Sequence, residues 1–443
     1  MPKLMRSLVL AALLMFPATL VAQKPGQETT DEPKEQIEGF AFRFKDRPSF
    51  RYGEALRMDV KAKFHFDLRH FEPPIVNVPA IDGYSLTRAR VGVKGEVTKY
   101  FEYEVEREMR GTLGEEHPRH PWRDVYVDFQ PYDFVRFKAG KFKVPFGMEE
   151  NTSEDRLDFI SRSQVTDFLA PGRERGGMLH GKLFKGEHLT YEAGIFRFDG
   201  ENSDIRGIPT GRRTYAARVS GEPLRYVSFL PKTIQHMYLG VAATTGSLVE
   251  GQNGLHGRTI SDLTYFDHVY VNGFRRRTGL EFAWAEGRFG LKGEYIRVSE
   301  QRKGQGIRAN DVPDQVSRGW YGTGSWLVLG EMESNGKDPK KNAFTERNGY
   351  GAVEVAARLD VLTFFSAERV GTPSPSPRAA NLALNSDRTW TFGVTWYLNH
   401  FVKLQANTQR EWLTNSNRLD FQRQSLDGRN AFWTSIFRLQ LAM

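Results

Sequence analysis

The sequence predicts an all-β fold: a transmembrane antiparallel β-barrel of about 16 strands, with short periplasmic turns and long extracellular loops. Three observations predict it. First, between Glu54 and His70 the apolar residues Leu56, Met58, Val60, Ala62, Phe64, Phe66 and Leu68 fall on every second position. Arg57, Asp59, Lys61, Lys63, His65, Asp67 and Arg69 lie between them. A period of two sends alternate side chains to opposite faces of a strand. This one outruns the roughly 5–6 residues usual in soluble sheets and suits lipid on one side and water on the other. Second, beyond the N-terminal residues no run of 18 apolar residues occurs, which excludes transmembrane helices but not strands. Third, the same alternation recurs down the chain, bounded by turn residues.

The elements follow in order. Lys3 and Arg6, the apolar run Leu8 to Phe16, and Leu20-Val21-Ala22 read as a cleaved secretory signal over residues 1–22. Residues 23–39, rich in Glu, Gln, Pro and Thr, read as a flexible periplasmic lead-in, and 40–443 as the barrel. After the first strand, Thr87, Ala89, Val91, Val93 and Val97 oppose Arg88, Arg90, Lys94 and Glu96. A tight turn at Thr98-Lys99 leads to Phe101, Tyr103 and Val105, opposed by glutamates. Val125, Val127 and Phe129 form the next outward set, and Val135, Phe137 and Ala139 oppose Arg136 and Lys138. Past Gly140 the parity breaks, and a bulge there would return Lys141 and Lys143 to the lumen face.

Eleven further strands are expected at 177–185, 188–198, 213–220, 236–245, 275–286, 288–298, 317–330, 348–360, 388–399, 401–412 and 430–443. With the first five they count to 16, an even number as bacterial barrels require. Connections alternate between short (98–99, 131–133, 186–187, 287, 399–400) and longer ones (145–176, 199–212, 246–274, 361–387). Two on the short side, 221–235 and 331–347, are longer than that rule would have them. The last strand alternates Phe437, Leu439, Leu441 and Met443 with Arg438, Gln440 and Ala442, as closure against the first strand would need. Trp390, Phe392, Val394 and Trp396 suit an aromatic girdle, although the same rings could pack the core of a soluble β-domain.

Composition narrows the function classes. With no cysteine there is no disulfide framework and no thiolate metal site. Removing Lys3 and Arg6 from the 62 basic residues leaves 60 against 54 acidic ones, a mild bias toward anions. The mean hydropathy of -0.52 suits alternating strands as well as a soluble chain. His117 and His120 lack a carboxylate pair at metal-binding spacing, and GRERGG lacks the phosphate-loop pattern. Ser161 and Ser163 show no evident His–acid partners, so no catalytic residue, cofactor or nucleic-acid site is assigned.

Several segments, taken together and in order, resemble the phosphate-selective porin family typified by porins O and P. They include RPSFRYGEALRMDVKAKF (47–64), RARVGVKGEVTKYFEYEVERE (88–108), PWRDVYVDF (121–129), GKFKVPFG (140–147), LDFISRS (157–163), FLAPGRERGGMLHG (168–181), GWYGTGSW (319–326) and TWYLN (395–399). The resemblance implies a trimeric outer-membrane barrel around a water-filled channel for anions such as phosphate or polyphosphate.

Selectivity in such a channel comes from charged side chains and pore width. The pore-lining, anion-binding candidates are Arg57, Lys61, Lys63, Arg88, Arg90, Lys94, Arg136, Lys138, Lys141, Lys143 and Arg173. The segment 145–176 is the candidate constriction. Against the seven inward basic residues of the first strands stand seven inward acidic ones, from Asp59 to Glu108, so paired charges that only brace the wall are an equal reading. A general or sugar-selective diffusion porin is the alternative within transport. Outside it, the alternatives are a barrel enzyme or a secreted β-rich binding protein.

Overall fold

The computed structural model describes residues 39–44, 47–72, 83–113, 120–184, 188–205, 208–260, 264–333, 338–344, 346–347, 349–366, 385–414 and 430–443. The expected signal peptide and all but the last residue of the 23–39 lead-in fall outside them. The first described elements are a hairpin that the alternation did not reveal, β1 (Phe40–Phe44) and β2 (Pro48–Tyr52). It pairs through Ser49↔Asp59 with the start of β3 (Leu56–Glu72).

From β3 onward the chain is an up-and-down barrel. Its first half continues with β4 (Gly83–Val97), β5 (Phe101–Glu108), β6 (Trp122–Tyr132), β7 (Val135–Lys143), β8 (Arg173–Leu183), β9 (Leu189–Phe196) and β10 (Gly211–Gly221). After β11 (Tyr238–Gln252), a small inserted hairpin, β12 (Gly257–Arg258) and β13 (Thr264–Phe266), interrupts the wall. The wall resumes with β14 (Tyr270–Glu286), β15 (Phe289–Arg302), β16 (Val312–Leu329), β17 (Ala352–Ser366), β18 (Asn385–Tyr397), β19 (Val402–Thr414) and β20 (Ala431–Ala442). β20 pairs with β3 from Trp433↔Glu72 to Ala442↔Lys63, closing 16 antiparallel strands. Closure removes both sheet edges, so each wall strand has hydrogen-bonding neighbours on both sides.

Every strand expected from alternation is present, with ends displaced by a few residues. The short and long connections alternate as expected, and the two overlong short-side connections are real: the first holds a turn of helix, Lys232–Gln235. Exposure confirms which face is which. On β3, Phe66 and Leu68 are 44% and 56% exposed, whereas His65 and Asp67 between them are 0% and 2% exposed. Apolar side chains face outward to lipid and the charged ones point into the barrel.

One expectation is corrected. There is no bulge at Gly140: β7 pairs without a register break from Phe137↔Phe129 to Lys141↔Val125, and likewise with β8. Gly140 instead takes φ 136°, and a Cβ there would lie 2.2 Å from the Val125 carbonyl oxygen. Alternation therefore persists as far as Phe142, which faces inward, buried against the rings of Tyr126 and Phe196, while Lys143 at the strand end also reaches the lumen. Lys141, opposite the outward-facing Val125, leaves the lumen wall.

The long-loop half of the lumen holds a cluster of buried apolar side chains beside buried charged pairs such as Arg277–Asp199. Phe146, Val165 and Leu169 of the long β7–β8 connection meet Leu255, Tyr265 and Phe266 of the β11–β14 connection. They pack on wall residues including Phe71, Ile296, Phe364 and Phe432, with the Phe266 and Phe364 rings stacked at 4.3 Å. Burial of rings at this scale contributes about 2–3 kcal/mol each and holds two segments inside a barrel that would otherwise be wide.

Candidate pore constriction

The constriction starts where β7 ends. Val144 N–H donates to the Gly172 carbonyl at 2.9 Å, pinching the base of a segment that turns into the lumen. Gly147 makes the first corner at φ 79°. The backbone N–H groups of Met148 and Glu149, at the start of α1 (Met148–Asn151), donate to the two carboxylate oxygens of Glu294 on β15, at 2.8 and 2.6 Å. Orphan amides at a helix start are thus met by carboxyl oxygens from the opposite wall. The second helix, α2 (Gln164–Leu169), is capped by Ser163, whose Oγ accepts from Thr166 N–H at 3.0 Å.

Between the helices, carboxylates tie the segment to the wall on several sides. Glu154 bonds Arg88, Arg90 (2.8 Å) and Arg162 (3.1 Å). Asp155 bonds Lys63 at 2.8 Å and Asp158 bonds Lys292 at 2.7 Å. Glu149 bonds Arg358 at 3.2 Å. Two bonds to the Ile160 backbone complete the circuit: its N–H donates to Asn407 Oδ1 at 2.7 Å, and Arg438 donates to its carbonyl at 2.8 Å. Burial by itself would raise the Glu154 carboxyl, but Arg88, Arg90 and Arg162 hold it well below its ordinary value. Asp155 follows the same rule: burial pushes it up, and Lys63 with the Ser153 hydroxyl pulls it further down. Burial works against the charged Arg162, and Glu150 and Glu154 outweigh it to keep the guanidinium protonated.

Residues 148–158 border cavities on both sides. One, of about 270 Å³, brings together six of the expected residues: Lys61, Lys63, Arg90, Lys138, Lys143 and Arg173. It also holds Glu104, Glu106, Asp124, Glu154 and Glu192, so its charge is nearly balanced. The other, of about 520 Å³, lies against β15 and β16 beside Asp158, Lys292 and Tyr321. Toward the short turns the lumen opens into a vestibule of about 940 Å³, which Arg57 and Lys94 line together with Lys61 and Lys63.

The expected basic residues are held by partners throughout. Arg57 bonds Asp59 and Glu96, Lys61 bonds Glu104, Lys94 bonds Glu102, and Lys138 bonds Asp128. Arg90 adds Glu108 to Glu154, and Arg173 bonds Asp124 at 2.7 Å. Lys143 donates to the carbonyls of Glu150 and Thr152 at 2.5 and 2.9 Å. Arg88 sits behind the constriction on Glu154, and Arg136 sits at the short-turn end on Asp133. Lys141 reaches the Trp122 carbonyl and Glu201 at the long-loop rim.

Alternation missed the residues that unbalance the vestibule. Arg43, Arg47 and Arg51 come from the β1–β2 hairpin and its turn, Arg156 from the constriction and Lys403 from β19. The hairpin strands are only five residues each, too short for a period to register. Nine basic side chains line this space against the four carboxylates Asp59, Glu104, Asp155 and Asp338.

The family model described as phosphate-selective porin O and P matches residues 58–418. Solved structures with a similar fold include a loop-deletion mutant of OmpT, an outer membrane protein of Vibrio cholerae. It is 10% identical, covers 88% of this chain and 100% of that one, and has a TM-score of 0.55. The outer membrane channel DcaP of Acinetobacter baumannii is 8% identical over 88% and 98% of the two chains, with a TM-score of 0.51. OmpF of Salmonella typhi, in complex with daunomycin, is 11% identical over 89% and 99%, also at 0.51. Comparison with curated proteins returns no match.

Proposed function

The chain belongs to the phosphate-selective porin O and P family, and from that premise we propose that its outer-membrane barrel passes small anions, with phosphate or polyphosphate as the cargo. The observation that carries the reading is the vestibule, where nine basic side chains face four acidic ones. A cleft lined by one sign of charge between low-dielectric walls concentrates counter-ions at its mouth. Arginine's planar fork suits the paired oxygens of a phosphate. The same anions then meet the narrow space beside residues 148–158, where Lys61, Lys63, Arg90, Lys138, Lys143 and Arg173 offer exchangeable cationic contacts. In this reading the wall pairs set the width, and the vestibule sets the sign. Assembly as a homotrimer and export by the N-terminal signal belong to the same proposal.

A second reading, a general or sugar-selective diffusion porin, is favoured by the close pairing of the wall charges. The reversal potential of the purified protein in a planar bilayer under a KCl gradient, repeated with added phosphate, separates the two. Anion selectivity with phosphate inhibition of the chloride current is the expected result. It should weaken when Arg43, Arg47 and Arg51 are changed together to Gln. Unselective or cation-leaning current from the unaltered protein would overturn the anion reading in favour of general diffusion.

A further inference from the structure

The arginines of the outer wall differ from those of the lumen. Arg276 on β14, Arg297 on β15, Arg318 on β16 and Arg388 on β18 are exposed on the lipid-facing side, near the long-loop end, and Arg410 on β19 extends the series. None has a carboxylate partner among the described residues. Asp314, at the same end of the wall, is bonded to the Ser299 hydroxyl at 2.7 Å. Arg297 and Arg318 are direct cross-strand partners, so two guanidinium groups stand side by side on one face. Like charges opposite one another destabilise a sheet unless something anionic lies between them. Arg410 lies over the rings of Trp412 and Trp433, at 5.4 and 5.0 Å, and Arg318 over Phe365 at 5.0 Å. The rings support the guanidinium planes and leave their N–H edges open.

The level of this belt is set by the membrane. From Arg318 the outward residues of β16 run Trp320, Gly322, Gly324, Trp326 and Val328. Ten residues at roughly 3.3 Å each, tilted by about 40°, span about 25 Å, the height of the apolar band of a barrel. That span ends at Val328, beside Trp326, whose ring stacks with Phe289 at the far interface, so the arginines lie in the headgroup layer at the long-loop side. Unpaired charge deep in hydrocarbon would cost about 2–4 kcal/mol per arginine, and close to nothing at that boundary.

We infer that Arg276, Arg297, Arg318, Arg388 and Arg410 form a docking belt for the phosphorylated glycolipid headgroups of the surrounding leaflet, with Arg297 and Arg318 clamping one phosphate. This rests on the barrel's place in the outer membrane and not on the solute it carries. Bidentate, charge-assisted bonds from guanidinium to phosphate are among the stronger polar contacts available there.

The test is binding of bis-phosphorylated lipid A, and of the same lipid stripped of its phosphates, to the full-length detergent-purified protein, read by native mass spectrometry. The phosphorylated lipid should bind about tenfold more tightly, and the preference should fall as salt rises from about 0.05 to 0.5 M. The variant R297Q/R318Q/R388Q should lose the preference while its conductance and reversal potential stay unchanged. Equal binding of the two lipids, a preference indifferent to salt, or a folded variant that keeps it would overturn the inference. The salt series on the unaltered protein decides the matter if the variant does not fold.

Discussion

Arg438 and Asp67 join the last strand of the barrel to the first through a two-pronged pair, Nε to Oδ1 at 2.6 Å and Nη2 to Oδ2 at 2.7 Å. They lie 371 positions apart, and both are buried. The same guanidinium donates to the Ile160 carbonyl, so one side chain serves both the seam and the constriction. Removing one partner strands a buried charge. R438M should therefore cost about 3–5 kcal/mol of folding stability, measured by urea unfolding in detergent micelles. The double variant R438M/D67L should recover much of that loss, because both charges are then gone.

Glu154 holds three guanidinium groups, on Arg88, Arg90 and Arg162. E154Q removes the charge and keeps the shape, leaving that cluster with excess positive charge beside the 270 Å³ cavity. Single-channel recordings should show noisier current from the loosened segment and a shift of the reversal potential toward anions. A current indistinguishable from that of the unaltered protein would show that the Glu154 charge neither holds the constriction nor sets its selectivity.

Acid should loosen the constriction. The folded carboxyls of Glu154 and Asp155 lie below their ordinary values, so their stabilisation is present in full above those values. It is lost progressively as the pH falls below about 4, toward the depressed folded values. Conductance fluctuations should rise below that pH and stay flat between about pH 5 and 8. E154Q should blunt the response.

Lys141 tests the register. It pairs opposite the outward-facing Val125 and bonds the Trp122 carbonyl at the rim. K141Q should leave the reversal potential unchanged, whereas the triple change of Arg43, Arg47 and Arg51 should lower anion preference. An equal effect of both would return Lys141 to the permeation path.

Gly140 carries the conformation that spares β7 a bulge. Its φ of 136° disfavours any side chain, and a Cβ would meet the Val125 carbonyl at 2.2 Å. G140A should destabilise the barrel by about 1–3 kcal/mol, read as a lower temperature of heat-induced migration shift on electrophoresis. An unchanged temperature would mean that the strand relaxes by shifting register.

The sequence by itself determined the wall. Alternation is a local property, each outward residue predicting the one two places on, and hydrocarbon outside the barrel enforces it over more than ten residues at a time. That is why 16 strands, their order, the closing strand and the two overlong turns were all legible without coordinates. Even the balance of inward charge on β3 to β5 was visible as composition. Partners were not. Glu154 meets Arg88 and Arg90 from more than sixty residues away, and Asp155, Asp158 and Glu149 find Lys63, Lys292 and Arg358, because a long segment folds inward across the lumen. No periodicity encodes that path. The tertiary structure decided which cations are buried against carboxylates in the wall, which gather in the short-turn vestibule and which stand along the outer belt. The reason is physical: a strand's period is set by its own backbone, while a charge's partner is set by whatever closure brings within 3 Å of it.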